Sequence, residues 1–82
     1  VPALLGHASV AYAAEGDWRR AADCAYRAGR AYAGDGRSTQ AVNWLHTARR
    51  LIGGRAEGAD LLAAVVSIEQ ELAAREAAAA RP

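Results

Sequence analysis

Cys24 and His46 are the side chains of this sequence whose chemistry suits a nucleophile and its general base. Such a pair also needs a third group that orients the base and a pocket that holds the substrate, and the spacing supplies neither. Cys24 lies at the edge of an apolar helical stripe, so we expect it to be a small, partly buried packing residue. The sequence therefore predicts that the protein is not an enzyme.

The two histidines, His7 and His46, fall on different predicted helices and have no Cys or second His at ligand spacing. We therefore expect no metal site. The glycine pair Gly53-Gly54 is followed by Arg55, whereas a phosphate-binding loop needs a Lys beside Ser or Thr, and all ten basic residues here are Arg. We expect no bound cofactor.

Length and composition limit the chain to one small domain. Its 82 residues carry a net charge of +1, which argues neither for a polyanion partner such as nucleic acid nor for an acidic tail. A single Cys excludes an internal disulfide, and no segment reaches the roughly 18 apolar residues of a membrane span, so we expect a cytoplasmic protein. The chain begins Val1-Pro2 without an initiator Met, and we expect an excised domain or a processed piece of a longer protein.

Glycine-containing turns divide the sequence into four helical segments, and the turns lie at residues 15–17, 34–37 and 53–58. Between them the apolar residues recur at helical spacing, and no stretch alternates as a strand does. We predict a single all-α domain over residues 1–82, with helices at about 3–14, 18–33, 39–52 and 59–78. Asp17 and Ser38 are the predicted N-caps, and the fourth helix is expected to begin at Asp60 or just before it.

Residues 11–30, AYAAEGDWRRAADCAYRAGR, are followed without a gap by residues 31–50, AYAGDGRSTQAVNWLHTARR. Both copies keep a tyrosine, a glycine and two alanines, at Tyr12, Gly16, Ala21 and Ala28 and again at Tyr32, Gly36, Ala41 and Ala48. This pattern resembles the tetratricopeptide repeat. The resemblance implies antiparallel helical hairpins of an α-solenoid, in which Tyr closes one helix, Gly permits the turn and the alanines let two helices approach closely. We expect these tyrosines and alanines to be largely buried.

The spacing differs from the family's usual period of about 34 residues per hairpin, because the copies here are offset by 20 residues per helix. A hairpin of about 40 residues resembles the longer tetratricopeptide-like repeats of vesicle-fusion attachment proteins and of large LuxR-type bacterial regulators. The fourth segment lacks the pattern and is expected to cap the array. An Ala-rich four-helix bundle without a binding groove is the alternative architecture.

The resemblance implies a protein–protein interaction module or scaffold that binds a peptide or protein partner or associates with itself. If the second helix lines the binding face, its expected contact residues are Asp23, Tyr26, Arg27 and Arg30. These side chains offer an acceptor, an aromatic edge and two guanidinium groups that can bind a carboxylate. A solvated face without a partner is the alternative interpretation.

Residues 1–14 contain no Asp, Glu, Lys or Arg. We expect one stripe of the first helix to face the second helix, formed by Leu4, Leu5, Ala8 and Tyr12. The reverse face carries Ala3, Val10 and Ala13, and an apolar helix is normally covered on all sides. We therefore expect these three residues to contact a second copy in a homo-oligomer or a neighbouring repeat, although side chains this small also tolerate water.

A helix-turn-helix DNA-binding domain is the alternative function. The third helix would then enter the major groove through Ser38, Thr39, Gln40 and Asn43, while Arg37, Arg49 and Arg50 contact phosphates. The net charge of +1 and the positions of the repeated Tyr and Gly residues favour the hairpin repeat instead.

Overall fold

The computed structural model describes residues 2–80, and these form four α-helices. The helices are α1 (Pro2–Ala14), α2 (Trp18–Gly34), α3 (Ser38–Ile52) and α4 (Ala59–Ala79), with a short 3-10 helix, Ala56–Gly58, before α4. The described part of the chain contains no strand, so the all-α prediction is confirmed, and each helix end lies within one residue of its predicted position. The 3-10 helix was not predicted. None of the helices in residues 2–80 is both long and apolar enough to cross a membrane.

The helix N-termini confirm one predicted cap and correct the other. The Asp17 side chain accepts a hydrogen bond from the backbone N–H of Arg20 at 3.1 Å, as an N-cap does. The prediction for Ser38 is wrong, because the cap position of α3 is Arg37 and Ser38 is already helical. The backbone angles of Arg37 (φ −92°, ψ 73°) match those of Asp17 (φ −90°, ψ 77°), so the repeated turn assigns the cap to residue 37.

The two turns that carry the repeated residues have the same backbone structure. Gly16 has a φ of +79° and Gly36 a φ of +75°, a left-handed conformation that side chains disfavour. In each turn the N–H of the residue after the glycine donates to the carbonyl oxygen of the tyrosine, at 3.0 Å for Tyr12 and 2.9 Å for Tyr32. The four-residue spacing from Tyr to Gly therefore marks the same hydrogen-bonded turn in both copies.

The contacts between consecutive helices are repeated as well. The Ser9 hydroxyl of α1 donates to the carbonyl oxygen of Ala21 in α2 at 2.8 Å. Twenty residues later, Gly29 of α2 faces Ala41 of α3, where an added methyl group would lie 3.3 Å from the Ala41 carbonyl oxygen. The pairs α1–α2 and α2–α3 thus pack antiparallel in the same register, and only small residues fit at the point of closest approach.

The apolar core consists mainly of small residues from α2, α3 and α4. Its buried apolar residues are Ala21, Ala22, Ala25, Ala28, Ala41, Leu45, Ala48, Ile52, Leu61, Val65 and Leu72. The four alanines of the repeated pattern are all fully buried, as predicted. The prediction of largely buried side chains is wrong in degree for Tyr12 and Tyr32, which are half-buried because they lie at helix ends. The guanidinium carbon of Arg20 lies 5.8 Å from the centre of the Tyr12 ring and covers one of its faces.

Contacts also join helices that are two apart in the chain. The Trp44 ring of α3 lies against Gly6 of α1, where an added methyl group would come within 2.5 Å of it. Arg19 of α2 forms an ion pair with Asp60 of α4 at 2.9 Å. The Cα atoms span 47 × 27 × 13 Å. The smallest extent matches two layers of helices, whose axes lie about 8–10 Å apart and whose backbones have a radius of about 2.3 Å.

The face that α1 turns toward α2 differs from the predicted stripe. Gly6 and Ser9 are the buried residues of α1, and Leu4 is wrongly predicted, since it is 70% exposed. The α1 helix is rotated about its axis so that Gly6 faces the Trp44 ring and the Ser9 hydroxyl reaches the carbonyl oxygen of Ala21. At about 100° per residue, Leu4 lies roughly 200° around the helix from Gly6 and therefore points away from the fold. The rest of the predicted stripe is half-buried: Leu5, Ala8 and Tyr12.

Candidate functional site

A groove of about 720 Å³ lies between the N-terminal half of α3 and the C-terminal half of α4. We call it the α3–α4 groove, and its lining residues are Ser38, Thr39, Val42, Asn43, His46, Glu69, Leu72, Ala73, Arg75, Glu76 and Ala79. It forms because residues 73–80 read AAREAAAA and provide no large apolar side chain to pack against Val42. Leu72, which is nearly buried, is the last large apolar residue of α4.

The Glu69 side chain joins the two walls of the groove at one end. It is only 18% exposed, and its carboxylate lies 2.9 Å from Nε of Arg49 and 3.5 Å from Nε2 of His46. Both partners belong to α3, so the carboxylate holds α4 against α3 at this level. Each of its oxygens contacts a side chain of α3, so we assign Glu69 a positioning role at this end of the groove.

The remaining lining residues give the groove an apolar floor and a polar rim. Val42, Leu72 and Ala73 provide aliphatic surface, and the hydroxyl groups of Ser38 and Thr39 are exposed beside them. Arg75 and Glu76 border the α4 side, and Arg75 is paired with Glu71 at 3.2 Å. An apolar floor inside a polar rim has the general anatomy of grooves that hold an amphipathic helix by its apolar ridge.

The predicted contact residues of α2 form one continuous surface. Arg27 forms an ion pair with Asp23 at 3.1 Å, and the guanidinium carbon of Arg30 lies 5.9 Å from the centre of the Tyr26 ring. Tyr26 is half-buried and packs against the apolar core. The structure therefore brings all four residues together, with each charged group paired inside the set. This surface belongs to a different helix from the α3–α4 groove, and its role in binding stays a prediction.

The uncovered face of α1 is the other prominent surface. Leu4 and Val10 are the exposed large apolar residues of the part of the chain that the structure describes, at 70% and 64% exposure. The predicted self-association residues Ala3, Val10 and Ala13 are all exposed. The sequence pattern predicted Leu4 on the buried side of α1 and gave no prediction of the α3–α4 groove. The available signals were the repeat, which aligns Leu4 with Trp44, and the absence of large apolar residues after Leu72.

Cys24 has the environment of a packing residue, as predicted. It is half-buried in α2, and burial, reinforced by the charge of Asp23, raises the pKa of its thiol. A nucleophilic cysteine needs the opposite shift, toward the thiolate. His46 contacts Glu69 at the groove. No cluster of three or more Asp, Glu, His or Cys side chains that could hold a metal ion occurs within residues 2–80.

The helices α2 and α3 pair along their whole length. Ala22 and Ile52 share an apolar cluster at one end, and Gly29 faces Ala41 at the other. The two helices of a helix-turn-helix cross at about 90–120° and cannot stay in contact in this way. The polar residues assigned to base contacts in the DNA-binding hypothesis are exposed on α3: Ser38, Thr39, Gln40 and Asn43. Of the assigned phosphate contacts, Arg49 is paired with Glu69.

Comparison of the chain with protein-family models, curated proteins and solved structures gives no match. The function is therefore inferred from three features of the molecule itself: the α3–α4 groove, the uncovered face of α1 and the 20-residue repeat.

Proposed function

We propose that the chain is a protein–protein interaction module of tetratricopeptide-like helical hairpins and that it binds a helical segment in the α3–α4 groove. The observation that carries this proposal is the groove itself, in which Val42, Leu72 and Ala73 form an apolar floor inside a polar rim. The lining of α3 runs from Ser38 to His46, which at 1.5 Å per residue is about 12 Å of helix. A partner helix of two to three turns fits this length.

Two features support hairpin repeats over a four-helix bundle. In a bundle all four helices contribute to one central core, whereas the buried apolar residues here belong to α2, α3 and α4. The repeat also extends from sequence to packing, since α1–α2 and α2–α3 share their turns and their points of closest approach. Arrays of this kind present continuous helical surfaces to protein partners.

A displayed peptide library tests the proposal. Peptides of about 12 residues with helical apolar spacing are selected on the folded chain and then titrated against variants by fluorescence anisotropy. Ala73→Glu places a charge in the floor of the groove, and Ala74→Glu makes the same change at an exposed neighbour that does not line it. We expect selected peptides to bind the wild type and the Ala74→Glu variant alike and to lose at least about tenfold in affinity for Ala73→Glu.

The same titration separates the groove from the α2 surface. The double variant Arg27→Ala and Arg30→Ala removes both guanidinium groups of the α2 surface and leaves the groove unchanged. Retained binding by the double variant supports the groove, and a loss confined to the double variant assigns binding to α2. If no peptide is selected, or if Ala73→Glu binds as well as the wild type, the proposed site is wrong.

A further inference from the structure

Leu4 is the counterpart of Trp44, because two steps of the 20-residue repeat separate them. The Trp44 ring packs against Gly6 of α1, the helix two places earlier in the stack. No helix within residues 2–80 lies beneath Leu4, which is 70% exposed. Leu4 and Trp44 therefore occupy equivalent positions, but Trp44 packs against an earlier helix and Leu4 is exposed.

The α3–α4 groove lies at the other end of the fold and includes the residue of α3 that matches Gly6 of α1. This residue is His46, which follows Gly6 by two steps of the repeat and lines the groove. A helix that lies along α3 in the register in which α3 lies along α1 would bring its counterpart of Trp44 to the level of His46. We propose that this helix is α1 of a second copy, so that molecules associate head to tail with Leu4 in the groove of the next molecule. The proposal rests on the groove being the binding site argued above.

The apolar floor of the groove suits the uncharged surface of α1. The α1 helix contains no Asp, Glu, Lys or Arg, so docking in the groove buries no such charged side chain of its own. Leu4 would meet the aliphatic surface of Val42 and Leu72, while the hydroxyl and amide groups of the rim stay at the edge of the contact. The 13 residues of α1 are about 20 Å long, enough to span the groove.

The repeat also identifies a residue of α1 that lies outside the contact. Val10 corresponds to Arg30 in α2 and to Arg50 in α3, and both arginines are exposed. A position that carries exposed charge in two helices of the stack does not face a neighbouring helix. The contact therefore depends on Leu4 and tolerates a charge at Val10, although both side chains are exposed in the single chain. This assignment replaces the sequence-based expectation that Val10 takes part in self-association.

Sedimentation velocity over about 10 µM to 1 mM tests the proposal with two pairs of matched variants. Leu4→Glu and Val10→Glu place the same charge on α1, and Ala73→Glu and Ala74→Glu place it on α4. We expect the average mass of the wild type to rise steadily with concentration, because a head-to-tail contact that does not close into a ring keeps adding copies. Leu4→Glu and Ala73→Glu should stay monomeric, while Val10→Glu and Ala74→Glu associate like the wild type.

A mixture of Leu4→Glu with Ala73→Glu gives the sharpest result. The first variant keeps an intact groove and the second keeps an intact α1, so the two should form a 1:1 dimer that grows no further. The proposal is overturned if the wild type stays monomeric, if Val10→Glu dissociates the assembly as Leu4→Glu does, or if the mixture stays monomeric. If the wild type stays monomeric but still binds selected peptides in the groove, only the proposal that a second copy occupies the groove is overturned. If no peptide binds either, the proposed function is overturned as well.

Discussion

Replacing Gly29 by alanine tests the close approach of α2 and α3 on which the repeat depends. The added methyl group would lie 2.8 Å from both Cγ and Cδ2 of Leu45 and 3.3 Å from the carbonyl oxygen of Ala41. Carbon atoms in favourable contact are about 3.5–4.0 Å apart, so the leucine has to move. Leu45 is fully buried, and its movement displaces other core residues.

The size of the effect follows from two opposing terms. Overpacking of a core costs about 1–3 kcal/mol, and replacing a helical glycine by alanine gains about 0.5–1 kcal/mol. We therefore expect Gly29→Ala to lower the free energy of unfolding by about 1 kcal/mol, and by no more than about 2.5 kcal/mol. For a domain of this size each kcal/mol shifts the melting temperature by about 4–8 °C.

Circular dichroism melts and urea titrations measure the loss, and Gly34→Ala is the matched control. Gly34 is in the same helix, and an added methyl group there has nothing within 4 Å. The control should be neutral or stabilised by up to about 1 kcal/mol. If Gly29→Ala is as stable as Gly34→Ala, then α2 and α3 do not approach so closely, and the shared register of the helix pairs is wrong.

Three further predictions concern the turns, the ion pair between α2 and α4, and the cysteine. Gly16→Ala and Gly36→Ala should each destabilise the fold by about 1–2 kcal/mol, since both positions have a left-handed φ, and melts that show a loss at only one of them would contradict the repeated turn. Hydrogen bonding from Arg19 lowers the pKa of Asp60 from 3.8 to about 2. The contribution of the ionised Asp60 to stability is therefore complete above pH 3.8 and is lost as the pH falls toward 2. Urea titrations across that range should show a weaker pH dependence for Asp60→Asn than for the wild type, and equal dependence would refute the assignment. Burial raises the pKa of the Cys24 thiol, so iodoacetamide at pH about 8 should alkylate the folded chain more slowly than the urea-unfolded chain, and equal rates would place the thiol in solvent.

Helix boundaries were predictable because their signals are local. A glycine with positive φ, such as Gly16 or Gly36, ends a helix through its own backbone, and the tyrosine four residues earlier accepts the closing hydrogen bond. The cap of α3 was mispredicted because Ser38 has the better capping side chain, whereas the backbone of the repeated turn places Arg37 at the cap. Local residue types thus identified where each turn lies, but for α3 they did not identify the residue at the cap position.

The orientation of α1 was not predictable from periodicity. An apolar pattern identifies the buried face of a helix only when polar residues mark the other face, and residues 1–14 contain no charge. The rotation is determined instead by close packing at Gly6 and by the hydrogen bond from Ser9, and both depend on residues of other helices. Leu4 was therefore assigned to the wrong side.

The α3–α4 groove exists because the repeat changes between α3 and α4. At the point of closest approach, α1 carries Ser9 and α2 carries Gly29, but the corresponding residue of α3 is Arg49. An arginine cannot pack beneath a neighbouring backbone, and it reaches outward to Glu69 at 2.9 Å instead. The connection to α4 is also longer and contains the 3-10 helix Ala56–Gly58.

These changes link the sequence to the proposed binding site through packing. Because α4 does not follow the register of the earlier helices, large apolar contacts between α3 and α4 end at Leu72, and the alanines beyond it leave Val42 partly uncovered. The groove thus forms where α4 departs from the packing that α1, α2 and α3 share. Replacing Arg49 by a small residue removes the contact to Glu69 that holds the walls in place, so Arg49→Ala should weaken peptide binding in the groove even though residue 49 does not line it. Unchanged affinity for selected peptides in an Arg49→Ala variant that melts like the wild type would show that the shape of the groove does not depend on this ion pair.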